Sequence, residues 1–206
     1  MTAHTDVLTP AEAAVIAGVS LRDVHRMIDE HILPDRLFIL TDTRLFKRQA
    51  CVFISFYFGA ADRLTAEERQ RTITLASKIT DWARAKKVVQ DEFLTIDLAS
   101  FAKGVEDRWK RLREARAQVA SNPEILGGTS VIRGTRVPVY DVAASVAAGI
   151  PMERILASYP GLRQEQVELA ALYAEANPQR GRPSQRTAAT NSVVLARRRK
   201  ALSRPA

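Results

Sequence analysis

The sequence predicts a mainly α protein with small β-hairpins. It reads as two helix-turn-helix-like modules joined by one long helix and followed by a basic tail. Three observations carry this. Two capping boxes, Thr9-Pro10-Ala11-Glu12 and Thr65-Ala66-Glu67-Glu68, open helical patterns. Short β-prone runs flank turn residues at 36–47 and at 131–139. Between Ser121 and Pro160 glycine and proline interrupt the chain repeatedly, which leaves room for short helices with tight turns.

The first module opens with a helix over about Pro10 to Ala17, with proline at its first position. Gly18-Val19 makes the turn, and Ser20 caps a second helix with Asp23 three residues on. Leu21, Val24, Ile28 and Ile32 recur at helical spacing and are expected to face inward. Arg22, His25, Arg26 and Asp29 are left outside. Pro34 stops the pattern. A hairpin of Arg36–Leu40 and Arg44–Lys47 around Thr41-Asp42-Thr43 follows directly, which makes a winged helix-turn-helix pattern. The helix spacing alone is equally that of a plain αα-hairpin.

Gln49 to Gly59 is apolar all round and is expected to be a buried helix. It holds Cys51, the only cysteine, so no disulfide can form within the chain and a reducing cytoplasm is expected. Cys51 reads as a small core residue. The second capping box starts a helix through about Arg84. Glu92 to Leu98 contains an alternating strand, expected to pair with the hairpin at residues 36–47. Phe101 to Ala120 is a long amphipathic helix with Val105, Trp109, Leu112 and Val119 in a stripe. The stripe suits a connecting or dimerising helix and equally one packed on its own domain. Boundaries follow at 1–98, 99–120, 121–176 and 177–206.

The next module begins with a hairpin. Gly127 and Gly128 permit unusual backbone angles, and Arg133-Gly134-Thr135-Arg136 turns the chain between Val131-Ile132 and Val137-Pro138-Val139. Helices are expected from Val139 to Ala148, from Pro151 to Pro160 and from Arg163 to Ala176. The last has a wide apolar arc of Val167, Leu169, Ala170, Leu172 and Tyr173. Its outer face carries Glu165, Glu168 and Glu175, which disfavours phosphate contact. Arg133 and Arg136 could hold a phosphate or a partner carboxylate, or pair locally as turn residues.

Charge is unevenly placed. The net charge is +8, yet residues 177–206 hold eight of the 31 lysines and arginines and no acid. The other residues balance, with 23 basic and 23 acidic. The tail has no aromatic residue and is expected to be disordered. Within it Val193, Val194 and Leu195 precede the block Arg197, Arg198, Arg199 and Lys200. An apolar anchor beside a cationic block suits a partner-binding segment; a solvated tail is the other reading. No signal peptide and no membrane span is expected. His4, His25 and His31 have no metal spacing, and Gly127-Gly128 lacks the rest of a phosphate loop. Catalysis, a metal and a cofactor are therefore not expected.

Two resemblances add to this reading. Residues 9–34, TPAEAAVIAGVSLRDVHRMIDEHILP, with the hairpin, resemble MerR-like and excisionase-like DNA-binding domains. That implies that Ser20, Arg22, His25 and Arg26 face DNA in the major groove, and that Arg44, Lys47 and Arg48 approach phosphates. The motif NPEILGGTSVIRGTRVPV, followed by AAGIPMERILASYPGL, is similar to a small bacterial and archaeal domain family. Members of that family are typically encoded beside PIN-like ribonuclease toxins and are classed as VapB-type antitoxins. Its motif falls here on Gly127, Gly128, Arg133, Gly134, Thr135 and Arg136; Ser130 stands where the motif more often has proline. The resemblance implies a homo-oligomeric antitoxin that neutralises a PIN-like ribonuclease and represses its own genes by binding operator DNA. The tail residues Val193 to Lys200 would contact the toxin's clustered carboxylates. A free-standing helix-turn-helix regulator with no toxin is the alternative.

Overall fold

The computed structural model describes residues 7–40, 44–79, 87–89, 94–124 and 126–179. The described chain is mainly helical with short antiparallel strand pairs. β1 (Val7–Leu8) leads into α1 (Pro10–Ala17), whose capping box is complete: Glu12 N–H donates to the Thr9 hydroxyl, and Thr9 N–H donates to Glu12. Gly18 ends α1 at φ 72°, a left-handed cap that glycine adopts without strain. α2 (Leu21–Asp29) starts from the Ser20–Asp23 box. Val24, Met27, Ile28 and Ile32 point into the core as their spacing requires. Leu21 does not; it stays 41% exposed, because the inward face of this short helix begins one turn later, at Val24.

β2 (Phe38–Leu40) and β3 (Arg44–Lys47) form the expected hairpin, with Phe38 opposite Phe46 and Leu40 opposite Arg44. The third strand of that sheet is β1, in the order β1-β3-β2. The strand near residue 95 does not join it. β5 (Thr95–Asp97) pairs instead with β4 (Lys87–Val89), because the edge of β3 is already filled by Val7 and Leu8. α3 (Arg48–Gly59) is the buried apolar helix. Cys51 lies at its inner face, and burial pushes that thiol pKa up to about 12. α4 (Ala66–Lys78) keeps its Thr65 capping box, and the remainder of the expected helix toward Arg84 lies outside the described residues.

α5 (Ala99–Ala117) is the spine of the molecule. Val105, Trp109, Leu112 and Ala115 form its buried stripe, which packs on α1, α3 and the last helix. Of the two readings of that stripe, the packed one holds. The helix stops at Ala117. Val119 therefore belongs to a strand, β6 (Val119–Ala120), which pairs with β7 (Val131–Ile132). The expected second strand of the hairpin is reduced to one bridge, Val131 to Pro138, as befits a proline without an N–H. α6 (Val139–Ala147), α7 (Met152–Ser158) and α8 (Gln164–Ala176) follow as the spacing predicts.

Two cores result. The larger gathers Ile16, Val24, Phe46, Phe53, Leu98 and Leu112, among others. The smaller gathers Ile132, Val139, Val142, Ile155 and Val167. α8 belongs to both. Val167, Ala170 and Tyr173 face the smaller core, while Leu172 and Ala176 face the larger. The wide apolar arc of that helix is two faces, each with its own neighbour.

Polar groups fix α5 against α1. Arg108 Nε donates to Ile16 O at 2.6 Å, and Arg108 Nη2 donates to Ala17 O at 3.0 Å and to Ser55 Oγ at 3.3 Å. These carbonyls end α1 and have no partner within the helix. Gly18 lies under the guanidinium: a Cβ there would sit 3.1 Å from Arg108 Cζ. About two turns on, Arg116 pairs with the buried Glu12 and lies 5.4 Å over the Trp109 ring. Burial lowers the Arg108 pKa from its ordinary value, as desolvation of a cation should. Replacing Arg108 by methionine keeps the apolar stem and strips α1 of its cap. The variant should lose about 1.5–3 kcal/mol in urea unfolding, at an unchanged slope.

Candidate nucleic-acid interface

The outer face of α2 is built by its N-terminal cap. The Ser20 hydroxyl accepts from Asp23 N at 3.1 Å and donates to Asp23 Oδ2 at 2.7 Å, so both are occupied locally. Arg22, His25 and Arg26 then line one side of the helix, with Arg22 and Arg26 exposed. Arg26 Nε pairs with Glu30 at 2.8 Å, and that hydrogen bond and charge raise the Arg26 pKa. Arg44 Nη1 reaches from β3 to Asp29 at 2.8 Å and ties the hairpin to the end of α2. Arg22 has no ion-pair partner among the described residues. Of the carboxylates beside this face, Asp29 and Glu30 are held by arginines and Asp23 by the Ser20 cap.

The structure gathers Ser20, Arg22, His25, Arg26 and Arg44 on one side. Lys47 and Arg48 are not there. They lie at the far end of β3, where Arg48 pairs with Glu106 of α5 at 3.2 Å. With Lys103, Glu106, Asp107 and Lys110 they rim a groove of about 940 Å³ between the sheet and α5. The sequence marked those α5 residues only as a charged face. Their meeting with the sheet depends on tertiary packing that no local pattern encodes.

The motif between Gly127 and Arg136 serves the fold. Arg133 Nε donates to Ala117 O at 2.6 Å and Nη2 to Val119 O at 3.3 Å, which caps α5. The Ser121 hydroxyl donates to Gly128 O at 2.6 Å. The Thr135 hydroxyl donates to Ile132 O at 2.8 Å and accepts from Val137 N at 3.1 Å. Gly127, Gly128 and Gly134 all take positive φ, at 63°, 85° and 78°. Arg136 is exposed and makes no ion pair among the described residues. The glutamates of α8 are partly accounted for too, since Arg111 holds Glu168 at 2.9 Å and Glu165 at 3.7 Å. Val193, Val194, Leu195, Arg197, Arg198, Arg199 and Lys200 lie outside the described residues. Among the described residues no group of histidine, cysteine and carboxylate side chains could hold a metal, and no helix is long and apolar enough to cross a membrane.

Residues 119–174 match the model of a protein family of unknown function, DUF433. The uncharacterized protein y4eO of Sinorhizobium fredii is 51% identical over 191 residues, which cover 88% of this chain and 86% of that protein. The X-ray crystal structure of RV2018 from Mycobacterium tuberculosis aligns with 82% of this chain and 99% of its own, at 15% identity and a TM-score of 0.28. So loose a superposition assigns nothing.

Gly134 gives a direct test of the motif. A Cβ added there would meet nothing within 4 Å, so only backbone strain opposes a side chain. Gly134→Ala should cost about 1–2 kcal/mol in thermal or urea unfolding, and Gly134→Asn less, because asparagine tolerates the left-handed region. Equal stability of all three proteins would show that the turn does not need a glycine at positive φ.

Proposed function

The chain belongs to the same family as the y4eO protein, with a DUF433 domain over residues 119–174, and we propose that it is the antitoxin of a type II toxin–antitoxin pair. Its cognate toxin is a PIN-like ribonuclease, and the antitoxin represses its own operon. The observation that carries the reading is the division of charge. Residues 1–176 are neutral overall, and the whole +8 excess belongs to the last 30 residues. A ribonuclease that holds divalent metal on clustered carboxylates has an anionic site. Arginines pair with carboxylates through charge-assisted, often bidentate bonds, and so block or displace the metal. Charge alone binds weakly, so the apolar anchor at residues 193–195 and the cationic block at residues 197–200 are needed together.

DNA binding falls to α2 and the hairpin behind it, read as a winged helix. Arg22 and Arg26 approach base edges or phosphates, and Arg44 steadies the hairpin against α2 through Asp29. The carboxylates of Asp29 and Glu30 oppose phosphate approach. This sets a sign for each substitution. Arg22→Ala should weaken operator binding by about 1–3 kcal/mol if it reads a guanine, and lower the salt slope by about one if it meets a phosphate. Glu30→Gln releases Arg26 and removes a repulsion, so it should tighten binding by about a few-fold at most. Gel-shift titrations at two salt concentrations give both numbers. Unchanged binding by an Arg22→Ala, Arg26→Ala double variant would move DNA recognition off α2.

Truncation after Asn177 tests the tail. That cut preserves the end of α8, where the Tyr140 hydroxyl donates to Asn177 O at 2.8 Å and Asn177 Nδ2 donates to Tyr173 O at 2.9 Å. The truncated protein should unfold like the full chain and lose most toxin neutralisation, measured by cell growth and RNA cleavage. Full protection would place the toxin contact on residues 121–176. Failure of any small nuclease-like protein to co-purify would favour a free-standing regulator.

A further inference from the structure

The groove between the three-stranded sheet and α5 has no part in that reading. It is an open cavity of about 940 Å³, within the roughly 300–1,000 Å³ of small-molecule sites. Its floor is apolar. Val52 and Val105 are buried there, Ala102 and Val7 are partly covered, and Ile39 stands 42% exposed at one side. Its rim is charged and unbalanced. Arg48 pairs with Glu106 at 3.2 Å and Lys103 with Asp107 at 2.7 Å. Lys47 and Lys110 also line the groove, and neither has an ion-pair partner among the described residues. Among the described residues that line it, four cations face two carboxylates, an excess of two positive charges. Residues 1–176 as a whole have no such excess.

These features select the occupant. An inorganic anion would satisfy the lysines and leave the floor bare. A neutral hydrophobe would cover the floor and ignore the lysines. A polyanion would meet Glu106 and Asp107 along the rim. The geometry points to a binding site for a small organic anion with an apolar body, such as an aliphatic or aromatic carboxylate. Its hydrocarbon lies on Val52, Ala102 and Val105, and its carboxylate faces Lys47 and Lys110. The site uses no residue of α2, and its hairpin residues, Ile39 and Lys47, are not among those proposed to meet DNA.

The probe is octanoate, titrated into the full-length protein labelled with nitrogen-15. Octan-1-ol serves as the neutral control and inorganic phosphate as the anion without an apolar body. Octanoate should produce saturable amide shifts centred on Val52, Ala102 and Val105. A Lys47→Gln, Lys110→Gln variant, changed only at exposed positions, should bind octanoate about three- to tenfold more weakly. Octanol should bind more weakly than octanoate, and phosphate should leave the three floor amides unmoved. Three outcomes would overturn the assignment: no saturable shifts at those amides, octanoate binding unchanged in the double variant, or phosphate reproducing the octanoate pattern.

Discussion

A cation from α5 completes a helix made ninety residues earlier. α1 ends at Ala17, and the carbonyls of Ile16 and Ala17 find their donors on Arg108. The arrangement needs three things at once: a left-handed turn at Gly18, no side chain on that glycine, and an α5 that lies flat along α1. Once α5 is placed, the rest has little freedom. α3 is held on its other side, β6 is launched from its end, and Arg133 closes its last turn. Arg108 is therefore more than one surface contact. The C-terminus of α1, the Ser55 hydroxyl of α3 and the seating of the spine share it.

Surface charge is arranged in local pairs. Arg26 with Glu30, Arg44 with Asp29, Arg48 with Glu106 and Lys103 with Asp107 all neutralise each other at contact distance. Exposed pairs of this kind contribute little stability. What they do is set where charge remains. Arg22 on α2 and Lys47 with Lys110 in the groove stand out because their neighbours are satisfied elsewhere. Two faces of one small protein are marked in this way, one the outer side of a helix and one a hollow.

Local signals were legible in the sequence. The Thr9, Ser20 and Thr65 caps, the helix stops and the hairpin at Phe38–Lys47 lie where short-range chemistry puts them. Of the candidate site, the α2 residues were legible for the same reason, since a capped amphipathic helix declares its outer face. Pairings across long separations were not. Val7 and Leu8 look like the approach to a helix, yet they fill the sheet edge that the strand at Thr95 was expected to take. Val119 continues the heptad-like stripe of α5, yet leaves the helix to meet Ile132. Arg133 was open to two readings, a binding residue or a turn residue pairing locally, because nothing near it in sequence announces that the end of α5 needs a donor. The groove was invisible for a similar reason: its two walls are far apart along the chain.

The double allegiance of α8 bears on how the protein is made. Leu172 and Ala176 close a core whose other members begin at Leu8. As the nascent chain leaves the ribosome, the first module emerges early but cannot finish packing until the last helix arrives. A helical protein of this size would ordinarily be a fast folder, dominated by near neighbours; contacts between its first and last helices raise the contact order and slow it. During that interval apolar faces of α1 and α5 stay open to other chains, and chaperones have a substrate. The same closure couples the two modules, so a protease cut in the link between them would take Leu172 and Ala176 from the larger core while leaving the buried residues of the smaller one, Ile132 to Ala170, on a single fragment.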